Sequence, residues 1–206
     1  MGIMIALPCH GGIVNEKTTM SLFNLGKLLV RNGIPHGLLT QANSSLITHG
    51  RSKCANFFIN NTDHEYLFFL DSDIGFNPED VLKLLSHNEP IVSGTYPMKT
   101  IPIRYCVDVL EPEERRGDLL KVGGNGMGFV MIHRNVFIDI ARKFPYLKYT
   151  PSTNDSNYPP TEAEMNNSYH FFAEEKIDDS FASEDKSFFY RARMTGYTHW
   201  LDTTIK

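Results

Sequence analysis

Apolar residues recur along the first hundred positions in two alternating rhythms. Gly2–Leu7 (GIMIAL) is a short apolar run closed by Pro8 and predicts a buried strand. Thr18–Asn32 carries Leu22, Leu25 and Leu29 at helical spacing and is stopped by Gly33. Gly37–Thr40 predicts a second strand, and Ile47–Asn61 a second helix with Ile47, Arg51, Cys54 and Phe58 on one stripe. Tyr66–Leu70 (YLFFL) is apolar on both faces and predicts a third strand. Asn77-Pro78-Glu79-Asp80 opens a third helix with Pro78 suited to its first turn, and Pro90–Gly94 predicts a fourth strand. This order predicts an α/β fold with a mostly parallel central sheet flanked by helices. Ligands in such sheets bind at the carboxyl ends of the strands, which singles out Pro8–Gly12, Asp71–Gly75 and Gly94–Lys99.

The second half is less regular. Ile103–Val109 and Leu119–Val122 predict strands around a charged turn, Glu111–Asp118. Gly128–Ile132 predicts a strand leading into a helix over Asn135–Lys143, and Ser183–Thr195 and Tyr197–Leu201 predict a last helix and strand. Tyr149–Ser168, rich in Pro, Asn, Ser and Thr, predicts a long surface loop of the kind that often carries function.

Composition narrows the function classes. The 24 acids outnumber the 20 bases, for a formal net charge of -4, so the chain lacks the basic surplus of a general nucleic-acid binder. No apolar run is long enough to span a bilayer and no leader segment is visible. Cys9, Cys54 and Cys106 lack CxxC spacing, which disfavours a disulfide framework or a thiolate zinc site and fits a reducing compartment, the cytoplasm. Sequons at Asn43, Asn60 and Asn166 therefore carry little weight.

Three features carry candidate chemistry. Asp71-Ser72-Asp73 sets two carboxylates where the most apolar strand ends, and oxygen ligands of this kind suit Mg²⁺ or Mn²⁺ shared with substrate phosphates. The plain alternative is a polar turn. Arg51 lies on an apolar stripe and needs an anionic partner, either a protein carboxylate or a ligand phosphate. Ser183-Glu184-Asp185 can be a helix cap with first-turn acids, or can place Asp185 inward as a general base; Asp178 and Asp179 are solvated loop acids. Lys99, in Tyr96-Pro97-Met98-Lys99, either reaches phosphate or stays solvated. The glycines of Gly123–Gly128 precede a strand, so they form no dinucleotide fingerprint but allow close backbone approach.

Six segments taken together resemble nucleotide-sugar-dependent glycosyltransferases of the GT-A fold: IALPCHGG (Ile5–Gly12), SLITHGRSKCANFF (Ser45–Phe58), FFLDSDIGFNPEDVLKLL (Phe68–Leu85), VSGTYPMK (Val92–Lys99), GNGMGFVMI (Gly124–Ile132) and SEDKSFFYRARMTGYTHWLD (Ser183–Asp202). The likeness is greatest to the small enzymes of large DNA viruses and phages, and among those to amino-terminal glycosyltransferase domains of larger chlorovirus proteins. The resemblance implies one catalytic domain over 1–206, with a nucleotide-sugar-binding half, 1–100, and a partly antiparallel acceptor-side half, 101–206. It implies a Mn²⁺ or Mg²⁺ ion held by Asp73 and Asp71, with Asp71 also near the ribose. It implies a UDP-sugar donor bound by Leu7, Pro8, Cys9, His10, Thr40, Arg51, Asp71, Ser72, Lys99 and Gly126. Asp185 would be the base that deprotonates a glycan acceptor hydroxyl in an inverting transfer serving viral glycoprotein glycans. The product would form in the host cytoplasm. A histidine that follows the last strand in many relatives has no counterpart after Asp202, which implies either a metal with fewer protein ligands or, the favoured reading, a module of a longer polypeptide.

Three other readings remain to be weighed. A haloacid-dehalogenase-type phosphatase wants Thr or Val where Gly75 stands, and its acidic pair follows the first strand. A non-catalytic nucleotide-sugar or carbohydrate-binding module would have no use for an inward Asp185. A sugar nucleotidyltransferase usually opens with a Gly- and Arg-rich phosphate loop, absent after Leu7.

Overall fold

The structure is a computed structural model that describes residues 1–42, 44–153 and 159–206. The Asn43 sequon and residues 154–158 of the expected Tyr149–Ser168 loop therefore lie outside the described residues.

Strand β1 (Ile3–Cys9) runs through Pro8 rather than stopping before it. Every side chain of β1 is buried, with Ile3, Ile5 and Leu7 on one face and Met4 and Ala6 on the other. Helix α1 (Glu16–Arg31) starts two residues before the predicted point because the Asn15 side chain accepts from the Lys17 N–H and caps it. Strand β2 (His36–Ala42), helix α2 (Ile47–Asn61), strand β3 (Tyr66–Leu70), helix α3 (Pro78–His87) and strand β4 (Ile91–Ser93) follow in the predicted order. Pro78 occupies the first turn of α3, and Asn88 closes that helix in the left-handed conformation.

The second half departs further from expectation. Of Ile103–Val109 only β5 (Val107–Val109) is strand, and the charged turn contains a short β6 (Arg115–Arg116). Strand β7 (Leu119–Asn125) continues into the glycines, and β8 (Phe129–His133) leads into α4 (Arg134–Lys143). The expected loop is not unstructured. Its ends pair as β9 (Lys148–Tyr149) and β10 (Ser168–Tyr169), and a capping box between Thr161 and Glu164 starts a short α5 (Glu162–Asn166). A hairpin of β11 (Glu175–Ile177) and β12 (Ser180–Ala182) turns at Asp178, then come α6 (Glu184–Met194) and β13 (His199–Asp202).

The main sheet has the order β2-β1-β3-β8-β4-β13-β7-β5, with β6 on β7. Strands β2, β1, β3, β4 and β13 share one direction, and β8 runs against them between β3 and β4. Strands β7, β5 and β6 extend the sheet with antiparallel pairings. The expected α/β architecture is thus present, with one change. The β3–α3–β4 unit does not pair its own strands, because β8 from the second half is inserted between them. That insertion brings Gly126–Gly128 to the end of β3.

Both faces of the sheet are packed. One core holds Phe58 from α2, Phe69, Phe137 from α4, and Phe171, Phe172 and Phe188, with Phe172 and Phe188 stacked at 4.8 Å. The other holds Leu25 and Leu29 from α1, Phe68, Leu84, Phe129 and Trp200. Fully burying each of these side chains contributes about 2 kcal/mol. The result is a rigid frame whose loops after β1, β2, β3 and β4 open at one edge.

Candidate active site

At that edge the buried β3 gives way to Asp71-Ser72-Asp73. The turn is pinned through its backbone. The Asp71 N–H donates to the Gly128 carbonyl at 3.0 Å, and the Ser72 carbonyl accepts from the Asn15 N–H at 2.8 Å. The two carboxylates then meet different surroundings.

Asp71 is half-buried and faces Arg51. The Arg51 guanidinium is buried; Nη2 donates to Asp71 Oδ1 at 3.0 Å and Nη1 to Glu184 Oε1 at 2.6 Å. Protein carboxylates, not a ligand, therefore supply the partner that an inward arginine requires. One cation ties the acidic turn to the first turn of α6, with Asp71 and Glu184 standing 113 positions apart in the sequence. Arg51 Nε is buried and has no hydrogen-bond partner among the described residues.

Asp73 is exposed and forms a short ion pair with the exposed ammonium of Lys99, whose pKa this contact raises. A solvated pair of this kind holds its partners loosely. Among the described residues no three His, Cys, Asp or Glu side chains converge as a ready-made metal cage. The donor chemistry still fits a hard divalent cation, since Mg²⁺ is commonly held by one or two carboxylates together with substrate phosphates. Asp73 is the outward carboxylate of the pair; one oxygen of Asp71 is committed to Arg51.

The floor of the edge is glycine by necessity. A Cβ on Gly128 would lie 2.5 Å from Asp71 Oδ2, 2.6 Å from Ile74 Cδ1 and 2.7 Å from the Tyr96 hydroxyl. Gly126 is crowded by the same hydroxyl. That hydroxyl accepts from the Gly128 N–H at 3.0 Å, and burial, then the nearby Asp71 charge, push the Tyr96 pKa up, so it stays protonated.

Glu184 and Asp185 sit in the first turn of α6, where the helix dipole favours anions. Their roles divide. Glu184 is taken up by Arg51. Asp185 is half-buried, and its Oδ1 accepts from the Ser183 hydroxyl and from the Lys186 N–H at 2.7 Å. Ser183 is the N-cap residue by position, yet its hydroxyl goes to Asp185 rather than to the helix backbone. Asp185 lies near Cys106, whose pKa is raised by burial and then by this charge.

The remaining predicted residues are spread along the same edge. Leu7 and Cys9 turn into the core, with the Cys9 thiol donating to the Leu7 carbonyl at 3.2 Å, and Pro8 is buried as well. Any contact they make with a ligand is through backbone. Thr40 is exposed and lies beside Leu7 in the β1–β2 register. His10 is exposed, with Nδ1 a distant 3.5 Å from the Ser44 carbonyl. Burial raises Cys9, and burial followed by the Cys9 charge pushes Cys54 to about 12, so both stay unreactive thiols. Three participants carried no sequence signal of their own role: Asn15, which anchors Ser72; Tyr96, which the two glycines accommodate; and Glu184, which holds Arg51.

No protein-family profile matches the chain, and no curated protein matches it in sequence. Among solved structures it is similar to A197 from STIV, at 20% identity and a TM-score of 0.54, over 100% of this chain and 84% of that one. That likeness shows a shared fold. GalNAc-T7, solved with UDP, GalNAc and Mn²⁺, aligns at 10% identity and a TM-score of 0.48, over 99% of this chain and 42% of that one. A glycosyltransferase involved in the glycosylation of the major capsid of PBCV-1 aligns at 14% identity and a TM-score of 0.36, over 80% of this chain and 72% of that one. These last two fall too low to carry weight.

Proposed function

We propose that the chain is a metal-assisted glycosyltransferase that moves a sugar from a nucleoside-diphosphate donor to an acceptor hydroxyl with inversion. The observation that supports this reading most is the Asp71–Arg51–Glu184 bridge. It brings an outward carboxylate at a strand end, Asp73, and a second carboxylate at a helix start, Asp185, onto one edge of the sheet. The choice of UDP, and of Mn²⁺ or Mg²⁺, rests on the sequence resemblance.

The donor diphosphate lies against Asp73 and Lys99, with the nucleoside toward the ends of β1 and β2. A divalent ion there would be held by Asp73, with Asp71 beside it, and would supply charge neutralisation for the leaving diphosphate. Lys99 adds a second cation to the same oxygens once it parts from Asp73. Asp185 accepts the acceptor's proton while its oxygen attacks the anomeric carbon; the bond to the diphosphate breaks and the leaving group keeps the electron pair. Glu184 is a poor base because its carboxylate is already paired with a buried guanidinium. Arg51 is a positioning residue that fixes α6 against the acidic turn.

Calorimetric titration of a panel of UDP-sugars, with and without Mn²⁺, tests the binding step. Metal-dependent binding that Asp73→Ala abolishes is expected; binding indifferent to metal or to that change removes the assignment. For the base, Asp185→Asn is expected to lower turnover by roughly 10²–10⁴-fold with donor binding intact. Unchanged turnover would place the base elsewhere.

A further inference from the structure

Helix α2 has a second working side. Lys53, Asn56 and Phe57 lie two, five and six positions beyond Arg51, which at 3.6 residues per turn puts them on the opposite side of the helix. That side borders a cavity of about 510 Å³, within the range of small-molecule sites. Its apolar lining is Leu39 from β2, Phe57 from α2, and Tyr149, Pro151, Pro159 and Pro160 from the segments that follow α4. None of these residues belongs to the carboxylate edge.

The cavity is built rather than left by loose packing. Three asparagines of α2 stitch 161–169 to the carboxyl-terminal half of the helix. Asn56 donates to the Tyr169 carbonyl at 3.0 Å and accepts from the Tyr169 N–H at 2.9 Å. Asn60 donates to the Asn167 carbonyl at 2.9 Å and accepts from the Asn167 amide at 3.0 Å, and the Thr161 hydroxyl bonds Asn61 Oδ1 at 3.0 Å. These bonds fix the covering segment over one end of α2 and keep it from collapsing onto the other, where protein interiors normally leave no void of this size. At that other end the His49 and Tyr149 rings lie 6.2 Å apart at 31°, and His170 backs them at 5.1 and 6.0 Å.

The polar lining decides what fits. Most of it is already spent inside the protein: Gln41 donates to the Ala42 carbonyl at 3.3 Å, the Ser168 hydroxyl to the Glu164 carbonyl at 2.7 Å, and Glu164 Oε2 accepts from the Thr161 N–H at 3.0 Å. Asn56 is consumed by Tyr169, and Lys53 is engaged as well. A sugar carries hydroxyls around its whole rim, and each would lose its water here without gaining a partner. An aromatic ring asks for flat apolar walls and few polar contacts, which this lining supplies. The exposed His49 imidazole makes no hydrogen bond among the described residues and is left to meet one polar group. We infer that this cavity binds a small aromatic compound carrying one hydrogen-bonding group, with the ring packed on Tyr149, Phe57 and the prolines and the polar group on His49. The inference needs neither donor nor metal and stands apart from the transferase reading.

Equilibrium dialysis of 2-naphthol against the full chain, with no nucleotide-sugar or metal present, tests it. Saturable binding is expected, with methyl glucoside binding far more weakly and UDP failing to displace the naphthol. Leu39→Trp fills the cavity and is expected to weaken binding about tenfold or more. His49→Ala removes an exposed ring outside the core, so it keeps the parental circular dichroism spectrum and carries the test even where Leu39→Trp disturbs folding; it is expected to weaken binding about three- to tenfold. Absence of saturable binding, tighter binding of the glucoside, or parental affinity in His49→Ala would each overturn the inference. Displacement by UDP would also overturn it, by making the cavity part of the donor site.

Discussion

Arg51 shows how much a single buried charge can organise. Its guanidinium stands between two carboxylates that would otherwise face each other across the joint between β3 and α6. Removing it leaves two partly buried anions without a counter-charge. Arg51→Met is expected to destabilise the fold by about 3–5 kcal/mol in urea unfolding at neutral pH. Neutralising the partners as well, in R51M/D71N/E184Q, is expected to recover a good part of that loss, because the penalty lies in the stranded charges. If the triple variant is no more stable than R51M, the bridge is not what the arginine contributes. Asp71 and Arg51 were both visible in the sequence as residues that needed explaining. Their pairing was not, because no local pattern connects an arginine inside one helix to an acid at the end of the next strand.

At the level of elements, the turn between β7 and β8 decides the shape of the site. Gly128 lies where three neighbours converge, and two of them, the Asp71 carboxylate and the Tyr96 hydroxyl, belong to the site itself. Gly128→Ala is expected to cost about 1–3 kcal/mol and to displace Asp71, lowering thermal stability and donor affinity together. Gly26, inside α1, has open space where a Cβ would go, so Gly26→Ala is expected to stabilise by about 0.5–1 kcal/mol. Opposite shifts in the two melting temperatures are the result that supports this account; two losses of equal size would count against it. The same elements show what the sequence could reveal. The strands and helices through β4 were legible because each has its own period and its own stop signals, such as Gly33 and Pro78. The insertion of β8 was not legible, since strand pairing across 60 residues leaves no mark on either strand. Of the expected loop 149–168, the Thr161–Glu164 capping box was present in the sequence, but the turn residues around it masked the signal.

For the whole molecule, one buried histidine and three half-buried ones set how the fold responds to acid. His199 lies under the sheet extension, bonded through Nε2 to Ser93 at 2.8 Å and stacked on Phe189 at 4.3 Å. Burial, then the Arg193 charge, lower its pKa to about 3. His64, His133 and His170 are lowered as well, each chiefly by burial. The unfolded chain takes up a proton near the ordinary histidine value, while folded His199 resists it until about pH 3. Its stabilising contribution is therefore complete above about pH 6.5 and is lost as the pH falls toward 3, at a slope of up to about 1.4 kcal/mol per pH unit for this one group. Asp202 adds a second, more acidic window. Burial alone would raise it, but hydrogen bonds from Thr204, His87 and Lys83 prevail and hold it near 2. Its contribution is present above about pH 4 and disappears as the pH falls toward 2. Urea unfolding followed from pH 7 to pH 4 is thus expected to show stability falling steadily. His199→Asn, compared by slope rather than by absolute stability, is expected to fall less steeply over the same interval. A variant slope equal to that of the parent would mean that His199 is already charged in the folded protein and that the buried position does not keep it neutral.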